Sequence, residues 1–253
     1  MRGLKAIITA SGRLKLQMVG FEEDIIVLRA LLDVNVPKFT GNDLPLFNSI
    51  MSDLFTGLKP NEPDNSHIEK VLKISCKNNN LQCTPSFLGK CLQLLQTILV
   101  RHGLMLVGET YSGKSNCIKC LAEALSMLKG QYEFENVLCI YCNPKSLLAT
   151  QLFGLLDKNT NSYTSGVIAE IFFKCIKDAE NPQKKWIVFD GPVDALWIEN
   201  MNTVLDDNKK LCLPSNDILP LTDHMTMMFE VEDLSQASPA TVSRCGMVYL
   251  EWE

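Results

Sequence analysis

Apolar residues recur at helical spacing through the first part of the chain, then give way to short apolar runs separated by amphipathic stretches. Over residues 1–33, Leu4, Ile7 and Ile8, followed by Ile25, Leu28, Leu31 and Leu32, keep the period expected of helices. Gly12 and Gly20 interrupt that pattern, so helices breaking at these glycines are expected. Val36 and Pro37, then residues 41–43, mark a connection; residues 44–54 form a short amphipathic segment, and 59–66 is the most loop-like stretch. A long helix is expected after Pro85, running to about Arg101.

From Gly103 the rhythm changes. Residues 103–107, 137–142, 186–190, 226–230 and 246–250 are apolar runs of strand length. Between them, 114–128 is an amphipathic helix, 146–153 starts another after Asn143 and Pro144, and 197–211 has helical spacing. Residues 211–221 carry Pro214, Ser215, Asn216 and Asp217 between two apolar arms, the pattern of a β-hairpin. Short strands separated by crossover helices imply an α/β fold, with a mostly parallel sheet covered on both faces. The chain has no internal repeat and no low-complexity tract.

Composition narrows the classes. A chain of 253 residues with 46% hydrophobic and 21% charged residues is globular and holds one good core, or one domain and a flanking piece. A net charge of -5, with Lys and Arg scattered rather than striped, leaves no footprint for nucleic acid as a partner. The apolar run 98–107 is broken by Arg101 and His102 and is too short to span a bilayer, so no membrane association is expected. Met1, Arg2, Gly3, Leu4 and Lys5 lack the apolar core of a signal peptide, and ten cysteines without secretory features point to a reducing, cytoplasmic setting. No cap precedes the first helix, which reads as the inside of an element cut from something longer.

The chemistry concentrates in Gly108, Glu109, Thr110, Tyr111, Ser112, Gly113, Lys114 and Ser115, which match G-x-x-x-x-G-K-[ST], followed by Asn116. Each fixed position has a mechanical task. Gly108 and Gly113 let the backbone turn tightly and offer N–H groups to phosphates, Lys114 reaches the β- and γ-phosphates, and the Ser115 hydroxyl ligates Mg²⁺. A strand before and a helix after the loop place a helix N-terminus against the anion. The apolar run ending in Asp190 supplies a second carboxylate for the metal side of the site. ATP or ADP with Mg²⁺ is therefore the expected ligand. The residue after Asp190 is Gly191, which has no proton acceptor, whereas general-base assistance is worth roughly 10²–10⁴-fold in rate; Asp194 is separated from it by Pro192 and Val193.

Two other patterns carry less. The pairs Cys117 with Cys120 and Cys139 with Cys142 have zinc-site spacing, but the first falls on the helix after the loop and the second on a strand, where an offset of three points side chains to opposite faces. They are read as buried thiols. His67, His102 and His224 are isolated, and Trp197 is read as core packing rather than a platform for adenine.

Five stretches resemble the dynein heavy chain, most closely the axonemal type: 100–108, 143–146, 188–195, 197–211 and 236–247. The resemblance runs over nearly the whole length and implies an AAA+ P-loop fold with a helical N-terminal appendage. Residues 1–35 would be the helical end of the lid of the motor's first AAA+ module, and 36–253 the large subdomain of the second, lacking its own lid. It further implies a module that binds ATP without appreciable hydrolysis, since AAA+ ATPases that hydrolyse place a glutamate where Gly191 stands. Glu230 occupies a sensor position where many AAA+ proteins have Asn. Arg244 matches an arginine finger that serves the neighbouring module's site in trans, and Arg2 a phosphate-sensing arginine of that module's lid. Its implied partners are neighbouring AAA+ modules, microtubules through the complete motor and, indirectly, dynein intermediate and light chains, in the axoneme of a cilium or flagellum. An active ATPase with a replacement base, and a structural fragment that binds no nucleotide, remain as alternatives.

Overall fold

The computed structural model describes residues 2–18, 20–39, 42–58, 65–131, 134–157, 159–160 and 162–251, and the statements below concern those residues. Most of the loop-like stretch 59–66 lies outside them; its last residue, Ser66, already opens a helix.

The chain starts with α1 (Arg2–Gln17) and α2 (Glu23–Asn35), which pack on each other. Their contact is built from small side chains: Ala6, Ala10, Ala30 and Val34 are buried, with Ile7, Leu14 and Val100 against them. Gly12 does not break α1, contrary to expectation. No atom comes within 4 Å of where its side chain would sit, so it is a solvent-side position that costs only about 1 kcal/mol of helix propensity. The break falls at Gly20, whose φ of +91° ends the pair's connection.

A 3₁₀ turn, Val36–Lys38, leads to α3 (Leu44–Leu54), α4 (Ser66–Asn78) and α5 (Pro85–Val100). The Thr84 side chain accepts from the Phe87 amide and Pro85 fills the first helical position, which fixes where α5 begins. Next come β1 (Gly103–Val107), α6 (Lys114–Met127) and β2 (Val137–Cys142), each within a residue of its expected bounds. A 3₁₀ turn at Pro144–Ser146 delays α7 to Ala149–Phe153. The hairpin of β3 (Gly154–Leu156) and β4 (Tyr163–Ser165) and the helix α8 (Val167–Lys177) follow. β5 (Lys184–Asp190) precedes α9 (Ala195–Ile198), a 3₁₀ turn, α10 (Asn202–Leu205) and the hairpin of β6 (Lys210–Cys212) and β7 (Ile218–Pro220). β8 (Met225–Val231), α11 (Pro239–Val242) and β9 (Gly246–Tyr249) complete the described elements.

The helical reading of 197–211 is corrected at its C-terminal third. The helix ends at Leu205, Asp206 is extended, Lys209 adopts a φ of 50°, and Leu211 joins β6. Asp206, Asp207 and Asn208 favour turns over helix interior, and the hairpin takes Leu211 into the core instead.

The main sheet has the order β2-β5-β8-β1-β9 with every neighbour parallel. Alternate residues of each strand enter different cores. Leu104, Leu106, Trp186, Val188 and Met228 pack against α4, α5 and α6. Met105, Val107, Ile187, Phe189, Met227 and Phe229 pack against α7 to α10 and the second hairpin. Trp197 belongs to this second core, with its ring 5.8 Å from Phe189 and 5.9 Å from Phe229, as the core-packing reading requires. The strand pair of cysteines divides the same way: Cys139 meets the first core and Cys142 the second, so the two cannot share a metal with Cys117 and Cys120.

A lysine is buried inside this frame. Lys185 of β5 is 2% exposed; its Nζ donates to the carbonyls of Cys175 (3.3 Å) and Asp178, and meets Asp178 Oδ2 at 2.9 Å. It closes the C-terminus of α8, where helix carbonyls lack partners and a cation is favoured. Lys185→Ala removes the side-chain donor from the buried Cys175 carbonyl and the cation from Asp178, and is expected to lower stability by about 1–3 kcal/mol, read as the urea midpoint at unchanged m-value. A shift equivalent to less than about 0.5 kcal/mol, typical of a neutral surface change, would contradict this role.

Candidate functional site

The motif of residues 108–115 is the turn between β1 and α6. Its root is clamped between two neighbouring strands: the Gly108 amide donates to Val231 O (3.2 Å), and the Leu250 amide donates to Val107 O (2.8 Å). The fit leaves no room for a side chain. A Cβ on Gly108 would lie 2.3 Å from Leu250 O and 2.7 Å from Ser112 Oγ. Gly113 has a φ of +88°, and Tyr111, 97% exposed at the tip, has a φ of 68°, so the loop winds through the left-handed region at two points. Such turns direct successive amides into one concavity, and the first turn of α6 adds its own unpaired N–H groups.

Lys114 Nζ donates to the carbonyls of Gly108 (2.6 Å) and Glu109 (2.8 Å), so the loop satisfies its own cation. Burial pulls the Lys114 ammonium below its usual pKa, against the opposing pull of Glu230, Glu232 and Asp190. Phosphate oxygens would replace these neutral acceptors with charge-assisted ones.

The carboxylates come from the strands. Asp190 ends β5 and stands in register with Glu230 of β8, and Glu230 is in register with Leu106 of β1. Ser115 Oγ donates to Glu230 Oε2 at 2.5 Å. Glu230 is 4% exposed, and its Oε1 is buried with no partner among the described protein atoms. Burial raises the Glu230 pKa and the charge of Asp190 adds to it, while the Ser115 hydrogen bond and Lys114 oppose.

These groups line an open cleft of about 600 Å³, bounded by Thr110, Tyr111, Gly113, Lys114, Ser115 and Asn116 on one side and by Lys145, Asp190, Gly191, Glu230 and Glu232 on the other. Across the loop a second cleft of about 370 Å³ is lined by Thr84, Phe87, Lys90, Tyr111, Ser112, Asn116 and Leu250. Gly108 lies beneath the loop, and Glu109 contributes its carbonyl to Lys114. The sequence reading missed Lys145 and Glu232 as lining residues and the contact between Ser115 and Glu230. The stretch 143–146 held a signal for the first, whereas the contact exists only because β8 lies between β1 and β5.

Gly191 is at the cleft wall. A Cβ there would lie 3.1 Å from Asn143 Oδ1, an oxygen already accepting from the Lys145 amide. Asp194 lines a different cavity with Leu148 and Trp197, and its carbonyl accepts the amides of Trp197 and Ile198.

Arg244 is elsewhere. It precedes β9, whose Gly246 is in register with Leu104, so it sits at the opposite edge of the sheet from the loop. At roughly 3.3 Å per strand residue the two edges lie about 15 Å apart, beyond the reach of one side chain. Its Nη1 donates to Ala240 O (2.7 Å), and its Nε lies 3.0 Å from Asp206 Oδ1 as an ion pair without the alignment of a hydrogen bond. A cavity of about 350 Å³ at this edge joins Arg244 to Arg101, Asp206 and, from α1, Lys5 and Thr9. The side chain of Arg2 lies outside the described residues.

A parallel sheet with this strand order, the phosphate-loop motif between strand and helix, and an acid on a non-adjacent strand define an AAA+ P-loop nucleotide-binding module. A family model described as the hydrolytic ATP binding site of dynein motor region matches residues 1–115. Dynein axonemal heavy chain 1 of Mus musculus is 53% identical over 256 residues, covering 99% of this chain and 6% of the mouse protein. Dynein axonemal heavy chain 12 of Mus musculus is 48% identical over 253 residues, covering 99% and 8%. Dynein axonemal heavy chain 3 of Homo sapiens is 47% identical over 253 residues, covering 99% and 6%. The chain belongs to the dynein heavy-chain family, and it spans only 6–8% of the length of these curated relatives.

The loop geometry generates a stability test. Gly108→Ala brings a methyl against a backbone carbonyl that cannot rotate away, and is expected to cost at least about 2 kcal/mol by urea unfolding. Tolerance within about 0.5 kcal/mol, the range of neutral surface changes, would mean that the strand β9 end does not clamp the loop.

Proposed function

We propose that this segment is an ATP-binding module of a dynein motor that holds nucleotide without turning it over and lends Arg244 to the site of the preceding module. The reading of residues 1–35 as the end of that module's lid, and of 36–253 as a second large subdomain, belongs to the same proposal. The observation that carries it is Gly191 directly after Asp190: the wall of the phosphate cleft has no carboxylate where hydrolysing AAA+ proteins keep a glutamate. Asp194 is in another cavity, so it does not stand in.

The residues fit the ligand. The loop amides and Lys114 would hold the β- and γ-phosphates, with Gly108 and Gly113 leaving the backbone free to approach. Ser115 and Asp190 would hold Mg²⁺, which when bound neutralises phosphate charge. The second cleft, with Phe87 on its wall, suits the base. The word hydrolytic in the matching family's description applies to residues 1–115, which stop short of Asp190, Gly191 and Glu230.

Placement of Arg244 at the far edge, in one cavity with residues of α1, supports action in trans. The relatives are named axonemal heavy chains, so the working assembly is taken to be a ciliary or flagellar motor on microtubules, with intermediate and light chains attached to the complete protein.

Two measurements test the parts separately. By calorimetry, Lys114→Ala is expected to weaken ATP binding by at least about tenfold, since it removes the cation facing the phosphates; equal affinity would contradict the loop assignment. In the full-length motor, Arg244→Ala is expected to depress microtubule-stimulated ATPase severely, on a scale of roughly 10³–10⁵ for such fingers, while ATP binding to this module is retained. Arg244→Lys is expected to fail as well, because a point charge lacks the planar fork. Normal turnover in the alanine variant would return Arg244 to an ordinary edge residue.

A further inference from the structure

The AAA+ reading assigns two protein groups to the cation, Ser115 and Asp190. A third oxygen lies between them. Glu230 is buried among the strand ends, one carboxylate oxygen accepts a hydrogen bond from the Ser115 hydroxyl, and the other is buried without a partner among the described protein atoms while the residue lines the phosphate cleft. Parallel register places Asp190 and Glu230 side by side on the sheet face that carries α6. A buried carboxylate oxygen with no donor is costly, and such groups are retained where a cation or donor meets them.

We propose that Glu230 belongs to the cation site: it orients the Ser115 hydroxyl through Oε2 and offers Oε1 to a divalent cation, giving this module two carboxylates where one is usual. The proposal rests on the nucleotide-binding reading above. Its chemistry is plain. A hydroxyl that spends its proton on Oε2 turns its lone pairs outward, which is what a metal ligand must do, and the partners that orient ligands typically govern metal affinity by 10–100-fold. A Mg²⁺-type ion accepts one or two carboxylates together with nucleotide phosphates and water. Asp190 is exposed at the strand end and Glu230 is enclosed, so the pair approaches the ion from one open and one walled side. Extra negative charge also opposes the phosphates themselves. Glu230 should therefore make nucleotide binding depend strongly on the divalent ion.

The test uses Mn²⁺ as the probe, followed by electron paramagnetic resonance, on the chain loaded with ADP, with ADP binding in EDTA measured alongside. In Glu230→Gln, which keeps the Ser115 partner and the volume, Mn²⁺ affinity is expected to fall about tenfold or more. ADP affinity in EDTA is expected to rise, because a charge facing the phosphates is gone. Glu230→Asp, which keeps the charge one methylene short, is expected to fall between the two and guards against a folding defect in the first variant. Mn²⁺ affinity unchanged in Glu230→Gln, with Asp190→Asn lowering it, would overturn the proposal and leave nucleotide binding intact. Absence of ADP binding by the parent chain in both conditions would overturn the nucleotide reading, and this proposal with it.

Discussion

Everything at the site depends on the register of three parallel strands. β5, β8 and β1 run side by side with Asp190 opposite Glu230 and Glu230 opposite Leu106, so three segments drawn from a span of more than a hundred residues end on one line. A one-residue slip of β8 would turn Glu230 to the opposite face and exchange the rows that enter the two cores. The two cores forbid it. Met228 must enter the core beneath α4, α5 and α6, and Met227 and Phe229 the core beneath α7 to α10, where Phe229 stacks on Phe189 at 5.0 Å. Hydrophobic alternation thus fixes register, register fixes the acids, and the turn at Gly108 brings Lys114 and Ser115 to meet them.

The same register explains the division of labour proposed for the module. The C-terminal edge of the sheet carries the loop and both acids, and the N-terminal edge carries Arg244, held by Asp206 and by the Ala240 carbonyl. One edge faces the module's own cleft, and the other faces a cavity shared with α1. Lys5 ties α1 to the same corner through Asp207 at 2.6 Å, and Arg13 donates to the Leu99 carbonyl at 2.7 Å. An arginine on that edge has no business with its own loop.

Local patterns disclosed what local physics decides. The loop, its strand and its helix were legible because only glycine fits the close approach at 108 and the left-handed turn at 113, and the apolar run 103–107 has the length and character of a buried strand. The opposite faces of Cys139 and Cys142 followed from strand alternation alone. What stayed hidden is non-local. That β8 lies between β1 and β5 cannot be read from any window, so Glu230 was visible as a strand-end residue without its contact to Ser115. The helix expected over 197–211 failed for a related reason: Leu211 has helical spacing to Val204, but tertiary pairing with Leu219 claims it for the hairpin. Gly12 misled in the other direction, because a solvent-side glycine weakens a helix without ending it.

The central claim is that the cleft holds a nucleoside triphosphate and leaves it intact. Gel filtration of the purified chain in buffer containing Mg²⁺ and ATP, followed by acid denaturation and chromatography of the co-eluting nucleotide, reads both halves at once. The account predicts nucleotide bound in proportion to protein and recovered as ATP after about an hour, against the 1–10³ s⁻¹ turnover of ordinary enzymes. Recovery as ADP, abolished by Lys114→Ala, would contradict it, as would elution of the chain without nucleotide.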